Sequence, residues 1–495
     1  MCGIYASLYY DIELEKDLWK NSKHRGPDHS SFIVKNEHFF GFHRLSLQDL
    51  SEKGNQPFFI NQIILLCNGE IYNHHELKEE YKIETKSHSD CEVILHLYEK
   101  IGIEKTIQKL SGYFSFFLYD ISKNIYFIGR DPFGVRSLYY GKKKTNNEYI
   151  FSSELKSLYP SCLSETIQVF PVGHYSNGKD FIPYYQYNII PTISSSFEEI
   201  KENFYTLFYN SVKKRLGMER EFGVFLSGGL DSSLIAAMVR KIWGKPIRTF
   251  SIGMEGSPDL YYAKKVADYI GSEHFEYKIT SEKMLSYIEK VIYQIETYDI
   301  TTIRASIPMY ILSEYIKENT NIKVIFSGEG SDEVSGGYLY FHQFPSEEEF
   351  HKECCRLVKD LCYFDCLRSD KTTAGNGLEV RCPFLDKECI EYYLSIPIKY
   401  RIPKDRMEKW FLRTVFNGRD ILPNEILWRE KEAFSDGVSK KTNSWYEILK
   451  SFTKNETGYY KEIFQKYYKG CEHLLPYYWM PKWKEGVTDP SARCL

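Results

Sequence analysis

A glycine-rich heptapeptide, SGGLDSS (Ser227–Ser233), constrains the fold of this chain more than any other segment. It follows an apolar run, Phe222–Leu226, that predicts a buried strand, and it leads into a helical pattern over Ser232–Ile242. A glycine pair lets backbone N–H groups approach a ligand, and the positive end of a helix dipole favours an anion there. A plain turn capped by serine is the alternative for a bare SGG. Because a strand precedes SGGLDSS and a helix follows it, we predict that this segment is a phosphate-binding loop.

A second polar loop, SGEGSDE (Ser327–Glu333), directly follows another apolar run, Ile322–Phe326, that predicts a strand. Because ligands gather at the carboxyl ends of parallel strands, the two loops are expected at one edge of the same sheet. The sequence contains no GxxxxGK[ST] loop of the kind that ordinarily manages γ-phosphoryl transfer. SGGLDSS instead resembles the loop of the ATP pyrophosphatases, which cleave ATP between the α- and β-phosphates.

That resemblance implies roles for charged side chains around the two loops. Asp231 would be a Mg²⁺ ligand, since a hard cation that bridges phosphates prefers carboxylate oxygen, and Asp332 could supply a second carboxylate. Glu329 would lie near the reacting centre. Lys431, within WREKEAFSDG (Trp428–Gly437), could neutralise the charge that develops on departing pyrophosphate.

The pattern of strands and helices changes partway along the chain. Residues 1–185 contain short alternating or apolar segments separated by turns, with a few helical patterns, and this mixture predicts a layered α+β domain. A polar stretch with a proline, 186–200, predicts a linker. In 201–495 strands alternate with helices, which predicts an α/β domain with a parallel sheet covered on both faces, and the end of the chain is mostly helical.

Composition narrows the class of protein. With 495 residues the chain is too long for one hydrophobic core, and 43% apolar and 26% charged residues are typical of a globular protein. A net charge of −3 gives no general attraction to nucleic acid or to anionic membranes, and no run of about 18 apolar residues could span a bilayer. We therefore expect small-molecule substrates as partners, with no nucleic acid and no membrane.

The N-terminal residues and the cysteines indicate a reducing compartment. Asp11, Glu13 and Glu15 stand where the apolar region of a secretory signal would run, so we expect a cytoplasmic protein. The twelve cysteines include no CxxC pair of the kind that holds zinc. Most of them are expected to be small buried apolar residues with reduced thiols.

Cys2 directly follows the first methionine. Cysteine is small enough for Met1 to be removed, which would leave the thiol beside an α-amine with a pKa of about 7.7–8, partly neutral at pH 7. A terminal nucleophile that uses its own amine as the base is a known arrangement. Taken alone, however, Cys2 is better explained as an ordinary small residue.

Further motifs change that interpretation, because five occur in order: Cys2-Gly3-Ile4, HRGPD (His24–Asp28), HRLS (His43–Ser46), NGEIYN (Asn68–Asn73) and SDCE (Ser89–Glu92). Together they resemble the class II, N-terminal-nucleophile glutamine amidotransferases. That resemblance implies a four-layer αββα sandwich for the first domain, with Cys2 as the nucleophile that releases ammonia from glutamine.

The same resemblance implies how the two ends of glutamine are bound. Arg44 would bind the α-carboxylate, where a guanidinium matches two oxygens, while Glu70 and Asp90 would hold the α-ammonium. The Asn68 side chain and the Gly69 N–H would face the oxyanion. In isolation Arg44 and Asp90 would be interpreted as a surface ion pair. The implied glutamine site comprises Arg44, Leu45, Ser46, Leu47, Gln48, Asn68, Gly69, Glu70 and Asp90.

Motifs from both halves together resemble the glutamine-hydrolysing asparagine synthetases over nearly the whole chain. Besides the two loops they include FSIGMEGSPDL (Phe250–Leu260), IETYDITTIRAS (Ile295–Ser306), EVRCPFLD (Glu379–Asp386) and DPSAR (Asp489–Arg493). The resemblance implies that the aspartate β-carboxylate attacks the α-phosphate of ATP, giving β-aspartyl-AMP and pyrophosphate. Ammonia then displaces AMP after crossing an apolar passage that keeps it unprotonated and nucleophilic.

Residue roles and assembly follow from this resemblance as expectations. The implied ATP site comprises Phe225, Ser227, Gly228, Gly229, Asp231, Ser232, Ile252, Ser327 and Gly328. Glu329 is needed for the intermediate, and Arg304 is a weaker candidate for holding aspartate, with a helix-surface charge as its alternative. ATP would be a substrate with Mg²⁺, without a tightly bound organic cofactor, and the family analogy predicts a homodimer.

Three other classes share some of these features. Amidotransferases that act on phosphoribosyl pyrophosphate or fructose 6-phosphate share the first half, but their acceptors are not adenylated, which SGGLDSS disfavours. The β-lactam-forming synthetases share both halves in outline but lack the terminal nucleophile. A non-catalytic glutamine sensor or binding protein would be favoured by the loss of Cys2, Asp231 or Glu329, and all three are present.

Overall fold

Antiparallel strands form the first half of the chain in the computed structural model, which describes residues 1–10, 12–440, 442–487 and 489–490. The strands are β1 (Gly3–Ser7), β2 (His29–Lys35), β3 (His38–Arg44), β4 (Phe58–Ile60), β5 (Ile63–Ile71), β6 (Gly112–Asp120), β7 (Ile125–Arg130), β8 (Tyr139–Lys142), β9 (Tyr149–Ser152), β10 (Gln168–Val169), β11 (His174–Ser176) and β12 (Phe181–Pro183). The helices are α1 (Ile12–Lys20), α2 (His74–Tyr81), α3 (Val93–Lys109) and α4 (Leu155–Leu158). Asp11 and the last three residues of DPSAR, 491–493, lie outside the described residues.

These elements stack in four layers. One sheet has the order β10-β8-β9-β1-β3-β2 and the other β12-β11-β7-β6-β5-β4. Alternate residues of β1, β3, β5 and β6 meet in an apolar layer between the sheets, where Phe42, Leu66 and Phe117 pack together. On the outer faces α1 and α4 cover the first sheet, and α2 and α3 cover the second. The predicted αββα sandwich is confirmed.

The second half contains a parallel sheet and most of the helices. Its elements are α5 (Phe197–Lys214), β13 (Phe222–Phe225), α6 (Leu230–Trp243), β14 (Arg248–Gly253), α7 (Pro258–Ile270), β15 (Glu273–Lys278), α8 (Ser281–Ser286), α9 (Ile288–Ile295), α10 (Ile300–Asn319), β16 (Val324–Phe326), α11 (Ser331–Ser335), α12 (Glu347–Asp360), α13 (Asp365–Ala374), β17 (Glu379–Arg381), α14 (Lys387–Ser395), α15 (Ile398–Arg401), α16 (Trp410–Phe416), α17 (Asn424–Leu427), α18 (Phe434–Gly437), α19 (Trp445–Phe452) and α20 (Glu456–Tyr468). The α/β domain with a helical C-terminal part is therefore also confirmed.

The order of the parallel strands places both polar loops at one point. The sheet runs β15-β14-β13-β16-β17, so the strand order reverses between β13 and β16. Helices α5, α6 and α7 pack against one face, and α9 and α10 pack against the other. SGGLDSS follows β13 and SGEGSDE follows β16, and the crevice at such a reversal is where ligands bind in open parallel sheets.

Two element boundaries differ from the sequence interpretation. Helix α6 begins at Leu230 rather than Ser232, so Asp231 and Ser232 both lie in its first turn. Helix α5 begins at Phe197, inside the predicted linker 186–200, because Ser196 and Glu199 form a capping box that stabilises the first turn. No helix among the described residues has the length and apolarity needed to cross a bilayer.

Candidate active sites

The first candidate site lies at the beginning of β1, where Cys2 precedes the strand. The Cys2 Sγ lies 3.8 Å from the carbonyl oxygen of Leu45, and Arg25 Nε donates to the Cys2 carbonyl at 2.8 Å. Burial raises the pKa of the Cys2 thiol to about 11 and lowers that of the Met1 amine to about 6. The thiol is therefore protonated at neutral pH and needs a base before it can attack.

Asn68 and Gly69 lie on β5 in the facing sheet. The Asn68 side chain is buried, and neither its Nδ2 nor its Oδ1 has a hydrogen-bond partner among the residues that the structure describes. A buried amide without partners costs about 1–3 kcal/mol, which is typical of a group reserved for a ligand. A Cβ on Gly69 would lie 2.2 Å from the Tyr113 carbonyl oxygen, so only glycine fits there.

Glu70, the residue after Gly69, and Asp90, in the SDCE motif, are two buried carboxylates. Glu70 accepts a hydrogen bond from Gln48 Nε2 at 3.1 Å, and Asp90 accepts one from the Ile71 N–H at 2.5 Å. Burial raises the pKa of Asp90 to about 6 and that of Glu70 well above its usual range. A bound ammonium group would lower both pKa values, because a positive charge between them favours their ionised forms.

Arg44 holds the segment 45–55, which contacts Cys2, in its loop conformation. Its guanidinium donates to the carbonyl oxygens of Ser51, Gln48 and Asp49 and to Asn55 Oδ1. These bonds fold 45–55 into a loop that brings the Leu45 carbonyl to Cys2 and the Gln48 amide to Glu70.

The remaining members of the predicted glutamine site belong to the same loop. The Ser46 N–H donates to Asp28 Oδ2 at 2.9 Å, and the buried Leu47 accepts from the Glu219 N–H at 3.0 Å. Contacts thus link Cys2 to Leu45, Gln48 of the same loop to Glu70 on β5, and Asp90 to the Ile71 N–H at the end of that strand.

The second candidate site is a cavity at the carboxyl ends of β13, β14 and β16. Its lining includes eight of the nine predicted ATP-site residues: Phe225, Ser227, Gly229, Asp231, Ser232, Ile252, Ser327 and Gly328. Gly228 lies behind them with φ +73°, and a Cβ there would come within 2.4 Å of the Ala263 nitrogen. The loop is fixed from within, since the Ser227 N–H donates to Ser232 Oγ at 3.1 Å. Arg429 Nη1 holds it from outside through the Gly228 carbonyl at 3.0 Å.

Lys409 bridges Asp231 and Asp332, and Lys431 also contacts Asp332. Lys409 Nζ lies 2.6 Å from Asp231 and 2.5 Å from Asp332, and Lys431 Nζ lies 2.5 Å from Asp332. Although burial opposes it, these lysines lower the pKa of Asp332 to about 2. Two carboxylates that contact the same lysine ammonium group fit Mg²⁺, which is usually held by one or two carboxylates plus substrate phosphates. No cluster of three or more His, Cys, Asp or Glu suited to a metal occurs in the described ranges, so phosphate oxygens would complete the coordination.

Glu329 lies in the same cavity beside Arg368. Burial raises the pKa of Glu329 to about 7, while its ion pair with the Arg368 guanidinium opposes that rise. Arg368 also pairs with Asp365 at 3.0 Å. A carboxyl group that titrates near neutral pH can accept a proton from an attacking amine and release it again.

One strand connects the two candidate sites. Arg381, at the end of β17, lies 3.0 Å from the Glu70 carboxylate of the first site. The Arg381 carbonyl accepts a hydrogen bond from the Ser327 N–H of the second site at 3.0 Å. The Tyr113 hydroxyl, from β6, donates to the carbonyl of the next residue, Cys382. The glutamine-type site and the nucleotide-type site are thus packed against opposite sides of one short segment.

Comparison with known proteins shows the same two-part organisation. A glutamine amidotransferase domain matches residues 1–202, and an asparagine synthase domain matches residues 203–348 and 342–487. The asparagine synthetase [glutamine-hydrolyzing] of Rattus norvegicus is 44% identical, with alignment over 100% of this chain and 98% of the rat protein. The human protein of that name is 43% identical with the same coverage. The chain belongs to the glutamine-hydrolysing asparagine synthetases.

Within this asparagine synthetase Arg304 is neither a surface charge nor free to bind aspartate without exchanging partners. Arg304 lines the cavity and is buried, so its alternative as a helix-surface charge is wrong. Its Nε donates to Glu456 at 2.9 Å, and its Nη1 donates to Asp489 at 3.0 Å. The structure thus pairs the guanidinium with two carboxylates of the C-terminal helices and tail, which an incoming aspartate carboxylate would have to displace.

Four cations that line the synthetase cavity were not predicted from the sequence: Arg368, Lys409, Arg413 and Arg429. Arg368 lies on α13, Arg413 on α16 and Lys409 in the turn before α16, and none of these segments carries a glycine-rich loop, so no local pattern marked them. Arg429 is two residues before Lys431 in the WREKEAFSDG motif, and that proximity was the available signal. Each reaches the cavity only through the packing of the C-terminal helices against the sheet.

Proposed function

We propose that this asparagine synthetase makes L-asparagine from L-aspartate, with glutamine as nitrogen donor and ATP as the activating substrate, through β-aspartyl-AMP. The observation that best supports this proposal is that Arg381 contacts Glu70 of the first site and Ser327 of the second. These contacts join an ammonia-releasing centre to a carboxylate-activating centre within one chain. Glutamate, AMP and pyrophosphate are the other products.

At the first site the Cys2 thiolate attacks the amide carbonyl of glutamine. Once Met1 is removed, the α-amine of Cys2 takes the thiol proton. The Asn68 amide and the Gly69 N–H hold the oxyanion, and the Asn68 Nδ2, which has no hydrogen-bond partner among the residues described, supports this role. Glu70 and Asp90 bind the α-ammonium, and Arg44 with the 45–48 loop binds the α-carboxylate end.

At the second site the β-carboxylate of aspartate attacks the α-phosphate of ATP. Asp231 and Asp332 would hold Mg²⁺, which when bound offsets the negative charge of the phosphates. Lys431 neutralises the charge that develops on pyrophosphate. Glu329 then accepts a proton from the ammonia that attacks the acyl carbon, and Arg304 is a further candidate contact for aspartate.

The proposal extends to the organisation of the protein. Residues 1–185 form the glutaminase domain, 186–200 the linker and 201–495 the synthetase domain. ATP acts with Mg²⁺ and without a tightly bound organic cofactor, and the protein is a cytoplasmic homodimer. The resemblance to the family supports the dimer, and light scattering of the purified protein measures its mass.

Isotope transfer from aspartate tests the adenylation step. Aspartate labelled with ¹⁸O in its β-carboxylate is incubated with glutamine, ATP and Mg²⁺, and AMP is analysed by mass spectrometry. We expect one ¹⁸O in AMP, because the attacking oxygen stays on the phosphorus when ammonia displaces AMP. AMP without ¹⁸O, formed alongside asparagine, would exclude an acyl adenylate.

A further inference from the structure

A serine on β6, Ser115, lies directly opposite Asn68 of the first candidate site. The two residues form a cross-strand pair of the antiparallel strands β5 and β6. The next pair along, Leu66 and Phe117, packs into the apolar layer between the two sheets. Because residues two positions apart on a strand share a face, the side chains of Asn68 and Ser115 point to the same layer. Cys2 also packs against that layer.

Both side chains are fully buried, and their polar atoms are unused. Ser115 and Asn68 are each 0% exposed. Among the described residues, neither the Ser115 Oγ nor either polar atom of the Asn68 amide has a hydrogen-bond partner. Unpaired polar groups are rare in protein interiors, because each loses its hydrogen bonds to water without replacement. Two of them at directly opposed positions therefore indicate a role that they share.

The other cross-strand neighbour of Ser115 is Arg130 on β7, whose side chain has other partners. Its guanidinium donates at 2.7–3.2 Å to three backbone carbonyls, those of Arg136, Phe170 and Gly134. A guanidinium also has no acceptor atom, so it cannot receive the proton of the serine hydroxyl. Of the two cross-strand neighbours of Ser115, Asn68 is thus the one with a side-chain acceptor, its Oδ1.

We propose that Ser115 is a positioning residue of the glutaminase site and fixes the orientation of the Asn68 amide. Directly opposed Cβ atoms in an antiparallel pair lie about 4.5–5.5 Å apart, so side-chain rotation brings the serine Oγ within hydrogen-bond distance of the Asn68 Oδ1. When Oδ1 accepts from Ser115, the other arm of the amide, Nδ2, is directed to the oxyanion of glutamine. The inference rests on the proposed function, because it concerns the same glutaminase site.

The chemistry of an amide explains why its orientation needs to be fixed. The two arms of the Asn68 amide have nearly the same shape, but Nδ2 donates hydrogen bonds and Oδ1 only accepts them. A flipped amide would turn a partly negative oxygen to the oxyanion and destabilise the transition state. A hydroxyl that donates to Oδ1 favours the productive orientation over the flipped one. Ser115 itself takes no part in the bonds that form or break.

Replacing Ser115 with alanine removes the hydroxyl and tests the proposal. We expect kcat for glutamine hydrolysis to fall about 3- to 10-fold in Ser115→Ala, as for the loss of one hydrogen bond between neutral groups. KM for glutamine should change less than about twofold, because the serine acts on the oxyanion donor and not on the amino-acid end of the substrate. Ammonia-dependent asparagine formation reports folding in each variant.

A double-mutant cycle with Asn68→Ala separates positioning from a general structural effect. In the Asn68→Ala background no amide remains to be oriented, so Ser115→Ala should lower kcat no further. Ser157 on α4 provides a matched control in the same domain. It is also buried, and its Oγ has no partner within the part of the chain that the structure describes, but α4 covers the outer face of the other sheet. Ser157→Ala should leave kcat and KM unchanged.

Three outcomes would overturn the role of Ser115. These are an unchanged kcat in Ser115→Ala, a rise in KM at constant kcat, and an equal fall in kcat whether or not Asn68 is present. The last would mean that the serine acts without the amide. Glutamine hydrolysis at the original rate by Asn68→Ala would instead contradict the proposed oxyanion role of Asn68, so the two failures are distinguishable.

Discussion

Replacing Asn68 with leucine should remove glutaminase activity without destabilising the fold. The buried amide of Asn68 has no hydrogen-bond partner in the described part of the chain, so its burial already costs about 1–3 kcal/mol. Leucine has nearly the same shape and no polar atoms, so Asn68→Leu should raise the free energy of unfolding by up to that amount. The lost oxyanion donor should lower kcat for glutamine hydrolysis about 10²- to 10³-fold.

Gln56 provides a matched control, because its amide is also buried but fully used. Its Nε2 donates to the Cys67 carbonyl at 3.1 Å, and its Oε1 accepts from the Cys67 N–H at 2.7 Å. Gln56→Met leaves two backbone groups unpaired, each costing about 1–3 kcal/mol, so it should destabilise the first domain by about 2–6 kcal/mol.

The assay combines urea unfolding with the rate of glutamate release from glutamine. Equal destabilisation in the two variants would refute the reasoning, because it would mean that Asn68 contributes to the fold as Gln56 does. Glutamate release by Asn68→Leu within threefold of the original rate would remove Asn68 from the oxyanion site.

Three further variants separate the two activities. Cys2→Ala should abolish glutamine use while ammonia-dependent asparagine formation continues, and retained glutamine hydrolysis in an assay of both donors would contradict the nucleophile assignment. Glu329→Gln should lose asparagine formation with glutaminase intact, because the amide cannot accept the proton of the attacking ammonia. In the unmodified protein, the rate of ammonia-dependent asparagine formation at constant free NH₃ should rise with pH through about 7. Below that pH the raised pKa of Glu329 keeps its carboxyl group protonated and unable to act as a base. A rate that does not change with pH would exclude Glu329 as the base. Gly228→Ala should lose ATP binding, since its Cβ would meet the Ala263 backbone at 2.4 Å and its φ is +73°, and calorimetry with ATP would detect any retained affinity.

The layers of both domains could be predicted from sequence because apolar periodicity and loop motifs are local. The strand before SGGLDSS and the helix after it were visible as an apolar run and a helical pattern, and the two loops meet at the reversal of strand order between β13 and β16. Short strands such as β17 (Glu379–Arg381) carry two charged residues of three, so no hydrophobic pattern predicts them. β17 nevertheless forms a strand because it pairs in parallel with β16 and all three of its residues are buried.

In the candidate sites, too, the residues that belong to a local motif could be predicted, whereas those placed by long-range packing could not. Residues within motifs, such as Asn68 and Asp231, were predictable because backbone geometry and side chain lie in one segment. Arg368 and Lys409 were not, because their roles depend on the packing of distant helices against the sheet edge. The partners of Arg304, Glu456 and Asp489, could not be foreseen from its own surroundings in sequence either.

Transfer of nitrogen between the two sites is the central claim, and a competition between donors tests it most directly. Glutamine labelled with ¹⁵N in its amide is supplied together with aspartate, ATP, Mg²⁺ and an excess of unlabelled ammonium, and the asparagine is analysed by mass spectrometry. If ammonia passes internally from Cys2 to the acyl adenylate, most asparagine should carry ¹⁵N in its amide despite the excess. Asparagine whose ¹⁵N content equals that of the bulk ammonia pool would show that the two centres work independently.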